Sequence, residues 1–137
     1  MAEQRVIVIG GGLAGLAAAT ALTNAGVETR VFERARELLP AGAVISVMAN
    51  TARALERAGL GELVENVCVP VVRLEYLDWK GRYLSHMPIS EVAEALGTKS
   101  YIALRSDMQL GMYERLGDGI VQLRSTCVGF DQDDAGV

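Results

Sequence analysis

The chain has 137 residues, of which 50% are hydrophobic and 22% charged, and this composition predicts one packed domain rather than a disordered segment. Its net charge of −4 and its lack of a Lys/Arg cluster argue against nucleic acid as a partner. The two cysteines, Cys68 and Cys127, lie far apart without a C-x-x-C spacing, and the chain has a single histidine. They argue against a disulfide framework and a structural metal site, and they favour the cytoplasm.

An uncharged segment, residues 6–27, has the length of a membrane span. Glycines at residues 10–12 interrupt it, and Glu3 offsets Arg5 in the preceding segment, so the positively charged start of a signal peptide is missing. We therefore predict neither a signal peptide nor a membrane span.

The N-terminal quarter has the pattern of a βαβ unit. Residues 6–9, VIVI, are typical of a strand buried on both faces. Residues 13–25 predict a helix that ends at Gly26, and residues 29–32 predict a second strand that ends at Glu33. Strand, glycine-rich turn, helix and strand in this order predict a Rossmann-like α/β fold with a parallel sheet and a right-handed crossover.

The middle of the chain predicts short elements. A polar loop at residues 34–41 is followed by an apolar stretch at 43–47, a helix at 51–58 and a helical turn at 62–67. After these come a hairpin at 71–84, a second helical turn at 90–96 and a strand at 101–104. Asn50 is predicted to cap the first of these helices. The hairpin and the elements after it form a small antiparallel β insertion at about residues 71–104.

The C-terminal part predicts one more helix and then strands. Ser106 and Gln109 have the spacing of a capping box, so a helix is predicted over residues 107–116. Strand is predicted at residues 120–125 and 127–130, with a hairpin turn at 131–136. Because no return strand follows that turn, the sequence is expected to be the N-terminal part of a longer protein.

The strongest chemical signal is a G-x-G-x-x-G motif, formed by Gly10, Gly12 and Gly15, directly after the first strand. Gly10 permits a tight turn, Gly12 lets backbone amides approach a pyrophosphate, and Gly15 allows close packing of helix and strand. The anion is then stabilised by the N-terminus of the helix. Glu33 is placed to accept both hydroxyls of an adenosine ribose and disfavours NADP, whereas FAD and NAD both fit the motif.

Several blocks of the chain follow one another as they do in a known family. They are residues 10–16, 31–34, 42–50, 54–55 with 59–61, and 104–108. In this order they resemble the N-terminal part of the single-component FAD-dependent aromatic hydroxylases, the para-hydroxybenzoate hydroxylase-like flavoprotein monooxygenases. The middle block is similar in particular to the urate and salicylate hydroxylase branches. The resemblance implies tightly bound FAD, NADH or NADPH as transient electron donor, and O2 and a small aromatic compound as substrates.

The resemblance also implies a set of cofactor contacts. It puts the FAD pyrophosphate against the glycine loop, at Gly10, Gly12, Leu13, Ala14 and Gly15. It puts the adenosine ribose on Glu33, the adenine side near Arg34, and the adenine edge against the backbone of Val128. It puts the ribityl chain or flavin near Ser46, and the phosphates or ribityl chain near Arg105. One departure is Ala49, where family members usually have proline before the asparagine that corresponds to Asn50, and this leaves the shape of that loop open.

The family's other cofactor motifs, an Asp-Gly and a Gly-Asp pair, are expected beyond residue 137 together with the catalytic residues. Asp118-Gly119 lies in a predicted turn and is neither motif, and His86 is predicted to be an ordinary strand or loop histidine. The prediction is therefore the FAD-binding portion of a flavin-dependent monooxygenase, inactive by itself. The alternatives are a dinucleotide-binding module without turnover and an NAD-dependent oxidoreductase on the same βαβ unit.

Overall fold

A βαβ unit begins the fold, in a computed structural model that describes residues 5–39, 42–133 and 136. Strand β1 (Arg5–Ile9) runs parallel to β2 (Glu28–Phe32), and helix α1 (Leu13–Asn24) lies between them in the chain. A short strand from the far end of the chain, β8 (Val121–Gln122), pairs in parallel with β2 and gives the order β1-β2-β8. The predicted α/β fold with a parallel sheet is confirmed.

A second sheet is antiparallel and has the order β3-β7-β4. Its strands are β3 (Val44–Val47), β4 (Val69–Pro70) and β7 (Tyr101–Leu104). The helices between β3 and β4 are α2 (Ala49–Arg57) and α3 (Gly61–Val67), and α5 (Arg105–Leu116) follows β7 without a loop. The direct passage from β7 into α5 fixes where the first residues of that helix lie.

The predicted hairpin is confirmed, with β5 (Leu74–Leu77) antiparallel to β6 (Tyr83–Met87). In its turn, one oxygen of the Asp78 carboxylate accepts hydrogen bonds from the backbone N–H groups of Lys80 and Arg82, at 2.9 and 2.8 Å. Every residue of both strands is exposed, and helix α4 (Ile89–Leu96) leads the chain back to the second sheet.

The core lies between the helices and one face of the parallel sheet. Its largest buried side chains are Leu16, Val31, Leu60, Met108 and Met112. The opposite face of β1 is open, since Ile7 and Ile9 are 53% and 57% exposed. The prediction that β1 is buried on both faces is therefore wrong for the described residues, because the core lies against only one of its faces.

Two predicted helix caps are wrong, because the groups concerned bond to other partners. Helix α2 begins at Ala49, before Asn50, and the N–H of Ala49 donates instead to the hydroxyl of Ser100 at 3.1 Å. Helix α5 begins at Arg105, so Ser106 lies inside it and its hydroxyl donates to Asp107. The side chain of Gln109 donates to the carbonyl of Gly11 and does not bond to the backbone N–H of Ser106.

The predicted strands near the end of the chain are largely wrong. Only Val121–Gln122 of residues 120–125 forms strand, and residues 127–130 form none. Beyond β8 the backbone turns at Arg124, which has φ +58°, and the N–H groups of Arg124 and Ser125 donate to the carbonyls of Ala35 and Glu33. The ladder to β2 ends there because the chain follows the loop after β2. Asp133 and Gly136 form an isolated bridge in the predicted turn, whose residues 134 and 135 lie outside the described residues.

The uncharged segment, residues 6–27, is divided between β1, the glycine turn and α1, which has only 12 residues. Across the described ranges, no helix has both the length and the apolar character needed to cross a membrane. Residues 1–4, which include Glu3, are outside those ranges.

Candidate functional site

The turn between β1 and α1 brings the helix very close to the strand. Gly10 has φ +107°, a conformation that side chains disfavour, and its N–H donates to the carbonyl of Phe32 at 2.8 Å. A Cβ built on Gly15 lies 2.0 Å from the carbonyl oxygen of Gly10 and 3.3 Å from Cγ1 of Val8. Only glycine fits at position 15 unless the backbone moves. The tight turn and the close packing predicted for Gly10 and Gly15 match this geometry.

Helix α1 starts with an open N-terminus. Gly12 is its N-cap, no described side chain caps the helix, and its first turn holds no acidic residue. The N–H of Leu16 donates to the carbonyl of Gly12 at 2.9 Å, so the amides before Leu16 have no acceptor within the helix. A Cβ built on Gly12 meets none of the described atoms within 4 Å. Backbone donors, the positive end of the helix dipole and open space therefore coincide, an arrangement that suits a phosphate group.

Glu33, just after β2, holds the same loop from the other side. Its Oε1 accepts a hydrogen bond from the N–H of Ala35 at 2.8 Å, and its Oε2 accepts one from the N–H of Gly11 at 2.6 Å. These two bonds lower the pKa of the Glu33 carboxyl below its ordinary 4.5, partial burial opposes them, and the charge of Arg34 lowers the pKa further. Each carboxylate oxygen keeps a lone pair, so both can still accept hydrogen bonds from ligand hydroxyls.

The lowered pKa of Glu33 predicts a pH-dependent stability. The folded protein holds this carboxyl ionised more strongly than the unfolded chain does, so the stabilisation is complete above about pH 4.5 and is lost as the pH falls through the lower folded pKa. We expect urea unfolding to show that Glu33→Gln is less stable than the wild type at pH 7. The difference between the two proteins should shrink as the pH is lowered below about 4.5 and through the lower pKa of the folded protein, because the wild type then loses its ionised carboxylate. A difference that is constant with pH would contradict the assigned hydrogen bonds.

An open cleft of about 320 Å3 lies beside Glu33 and the start of α1, at the lower end of the sizes that hold small ligands. The residues that line it come from the glycine loop, the segment after β2 and helix α5, and they are Gly12, Glu33, Arg34, Ala35, Glu37, Leu38, Leu39, Arg105 and Gln109. The fold thus brings together four residues that the sequence singled out, namely Gly12, Glu33, Arg34 and Arg105. The two guanidinium groups supply positive charge suited to phosphate oxygens.

The other predicted site residues lie on the loop or away from the cleft. On the loop and in the first turn of α1, next to Gly12, are Gly10, Leu13, Ala14 and Gly15. Ser46 is exposed in β3, opposite Ile102, and does not line the cleft. Val128 is 96% exposed, lies beyond β8 outside any strand, and does not line the cleft either. The strand position expected for Val128 is wrong, and its contact with adenine stays a prediction.

Sequence reasoning missed Gln109, which it assigned to a helix cap. The Nε2 of Gln109 donates to the carbonyl of Gly11 at 2.6 Å, and its Oε1 accepts from Nη1 of Arg105 at 3.3 Å. The available signal is the spacing, because residues four apart share one face of a helix. Glu37, Leu38 and Leu39 also line the cleft, and no motif marks them because they belong to an irregular loop.

Other chemically capable groups lie apart from the cleft. Over residues 5–39, 42–133 and 136, no group of three His, Cys, Asp or Glu side chains is arranged to hold a metal ion. His86 is exposed in β6, and its Nδ1 contacts the hydroxyl of Tyr83. The cleft at the start of α1 is therefore the candidate site that the described residues best support.

A family model described as an FAD binding domain matches residues 3–125 of the chain. The chain belongs to the FAD-binding domain family. The match extends from β1 to beyond β8 and contains every residue that lines the cleft. It also decides between the two dinucleotides that the glycine motif left open, because the cofactor of this family is FAD.

Curated relatives of this FAD-binding domain are flavin-dependent hydroxylases. The FAD-dependent urate hydroxylase of Klebsiella pneumoniae is 31% identical over 135 residues, which are 98% of this chain. The 3-amino-4-hydroxybenzoate 2-monooxygenase PtmB3 of Streptomyces platensis is 34% identical over 137 residues, also 98% of this chain. The chain spans about 35% of the length of each of these relatives. The resemblance to the flavin-dependent aromatic hydroxylases is confirmed.

Solved structures show the same relationship. Klebsiella pneumoniae HpxO, complexed with FAD and uric acid, matches 97% of this FAD-binding domain with a TM-score of 0.88 and 28% identity, over 34% of its own chain. The p-nitrophenol 4-monooxygenase PnpA of Pseudomonas putida matches 96% with a TM-score of 0.80 and 25% identity, over 35% of its own chain. The fold of this chain is that of the FAD-binding part of such hydroxylases.

Proposed function

We propose that this chain is the cofactor-holding part of a flavin-dependent monooxygenase that hydroxylates a small aromatic or heteroaromatic compound with NADH or NADPH and O2. The observation that carries the proposal is the open N-terminus of α1, which lies at one cleft with Glu33 and Arg105. The named activities of the relatives, which include urate hydroxylase and 3-amino-4-hydroxybenzoate 2-monooxygenase, support the reaction class.

In this proposal the pyrophosphate of FAD lies against the glycine loop, at Gly10, Gly12, Leu13, Ala14 and Gly15. The amides at the start of α1, which have no acceptor within the helix, donate to its oxygens, and Arg105 adds positive charge. Glu33 accepts hydrogen bonds from the ribose hydroxyls of the adenosine, and its negative charge disfavours a phosphate on that ribose. Arg34 lies on the adenine side.

The proposal assigns weaker contacts to Ser46 and Val128. Ser46 lies near the ribityl chain or flavin, and the backbone of Val128 lies at the adenine edge. Their support is the resemblance alone, since neither residue lines the cleft. Their contribution to FAD affinity is therefore expected to be smaller than that of Glu33 or Arg105.

When bound, FAD supplies the redox chemistry, because it accepts electrons from the nicotinamide and passes them to O2. The residues of this chain bind and orient the adenosine and pyrophosphate. The proposal includes the cytoplasm as the compartment, supported by two cysteines that are both free thiols, Cys68 and Cys127.

FAD binding by the purified chain tests the proposal first. We expect FAD to bind saturably at one site per chain, with a shifted flavin absorbance spectrum, a changed flavin fluorescence and a raised melting temperature. Addition of NAD is expected to leave the melting temperature unchanged. A chain that ignores FAD but is stabilised by NAD would overturn the assignment.

Turnover separates the monooxygenase from a dinucleotide-binding module. We expect the FAD-loaded chain by itself to oxidise NADH or NADPH no faster than free FAD does, with uric acid as the substrate probe. The same assay on the protein that carries this domain in the cell should show nicotinamide oxidation that depends on an aromatic substrate. Nicotinamide oxidation that no aromatic compound stimulates would favour the module without hydroxylation.

A further inference from the structure

Gln109 links two parts of the cleft that are far apart in sequence. It lies on α5, is only 9% exposed, and donates through Nε2 to the carbonyl of Gly11 at 2.6 Å. Its Oε1 accepts from Nη1 of Arg105, one helical turn earlier, at 3.3 Å. One buried amide thus contacts both the glycine loop and the guanidinium that lines the cleft.

The contact with Gly11 fixes the direction of a donor at the start of α1. In a trans peptide the C=O of one residue and the N–H of the next point in opposite directions. The hydrogen bond that Gln109 makes to the Gly11 carbonyl therefore also orients the N–H of Gly12. Glu33 holds the N–H of Gly11 at 2.6 Å, so both peptides that flank Gly11 are anchored by side chains.

Only a side chain that donates at one end and accepts at the other satisfies both neighbours. The Gly11 carbonyl requires a donor, and the Arg105 guanidinium requires an acceptor. A carboxylate satisfies Arg105 but repels the carbonyl, whereas an apolar side chain satisfies neither and leaves a buried carbonyl unpaired. The amide of glutamine donates to the Gly11 carbonyl and accepts from Arg105, and its near-complete burial keeps water from taking over these two hydrogen bonds.

We propose that Gln109 is a positioning residue for FAD binding, which holds the Gly12 amide and the Arg105 guanidinium in the orientations that a pyrophosphate requires. The proposal rests on the function proposed above and assigns Gln109 a role that acts through its two neighbours. Gln109 itself acts without a direct contact to the reacting flavin ring.

The test compares FAD binding by the wild type, Gln109→Met and Gln109→Glu. Methionine is unbranched and of similar length, so it keeps the packing and removes both hydrogen bonds, whereas glutamate keeps the shape and the acceptor and removes the donor. Leu116→Ala is the matched control, because Leu116 is buried on the same helix, 8% exposed, and does not line the cleft. Circular dichroism and melting temperature report folding, flavin fluorescence gives the Kd, and 31P spectra at saturating FAD report the bound pyrophosphate.

We expect Gln109→Met to raise the Kd for FAD about tenfold, Gln109→Glu to raise it at least as much, and both to shift the 31P resonances of bound FAD. Leu116→Ala should lower the melting temperature but leave the Kd and the 31P resonances unchanged well below that temperature. Wild-type affinity and resonances in Gln109→Met, or a loss of its fold, would overturn the positioning role. A wild type that binds no FAD would instead overturn the proposed function, and the inference with it.

Discussion

Replacing Gly15 with alanine is expected to unfold the βαβ unit or to destabilise it by more than about 3 kcal/mol. The added Cβ would lie 2.0 Å from the carbonyl oxygen of Gly10, a backbone atom that cannot turn aside as a flexible side chain can. Relief requires α1 to move away from β1, and Leu16, fully buried beside Gly15, would lose its packing. Urea unfolding and circular dichroism measure the loss, and FAD titration should show no binding by the variant.

Gly12→Ala is the matched control, since the same methyl group is added three residues earlier. Gly12 has φ −76° and ψ 176°, which alanine adopts readily, and its Cβ meets no described atom within 4 Å. We expect this variant to lose about 1 kcal/mol of stability or less, yet to bind FAD more weakly because the methyl group occupies the approach to the helix N-terminus. A Gly15→Ala protein that melts like the wild type would contradict the close packing of α1 on β1.

Glu33→Ala is expected to weaken FAD binding about a hundredfold and to lower the free energy of unfolding by about 2 kcal/mol. The first effect follows from the loss of the acceptor proposed for the ribose hydroxyls. The second follows because the N–H groups of Gly11 and Ala35 lose their carboxylate acceptor, with a discount for partial exposure. Fluorescence titration and urea unfolding measure the two effects separately.

Glu37→Ala controls for the charge of the cleft. Glu37 also lines the cleft, and its removal changes the net charge equally, but it makes neither of the hydrogen bonds that hold the glycine loop. We expect its FAD affinity and stability to stay close to those of the wild type. Equal weakening by Glu33→Ala and Glu37→Ala would assign the effect to charge alone and count against the ribose contact.

The βαβ unit was predictable because its signals are local. The strand at VIVI, the turn at Gly10 and the helix that follows are each encoded by neighbouring residues, and the predicted boundaries agree with the structure within one residue. Glu33 was predictable for the same reason, since it directly follows the second strand. The burial of that first strand was not, because it depends on which elements cover the sheet.

Other features depend on contacts between residues that are far apart in the sequence, which no local sequence pattern contains. Gln109 fits a capping box by spacing, yet its partner is the carbonyl of Gly11, 98 residues away. Asn50 fits a cap, yet Ser100 provides the acceptor for the first amide of α2. Residues 127–130 have the composition of a strand, but the backbone after β8 bonds to the loop after β2 and leaves the sheet.

The long separation between Gly11 and Gln109 sets the order in which the cleft is assembled. The βαβ unit is complete once residues 5–32 have left the ribosome, whereas α5 and its hydrogen bond to Gly11 require the chain up to Leu116. Closing so long a loop loses entropy before any contact compensates, so the docking of α5 is expected to come late. We therefore expect newly made chains to pass through a stage in which the glycine turn exists but the Gly11 carbonyl is not yet held by Gln109.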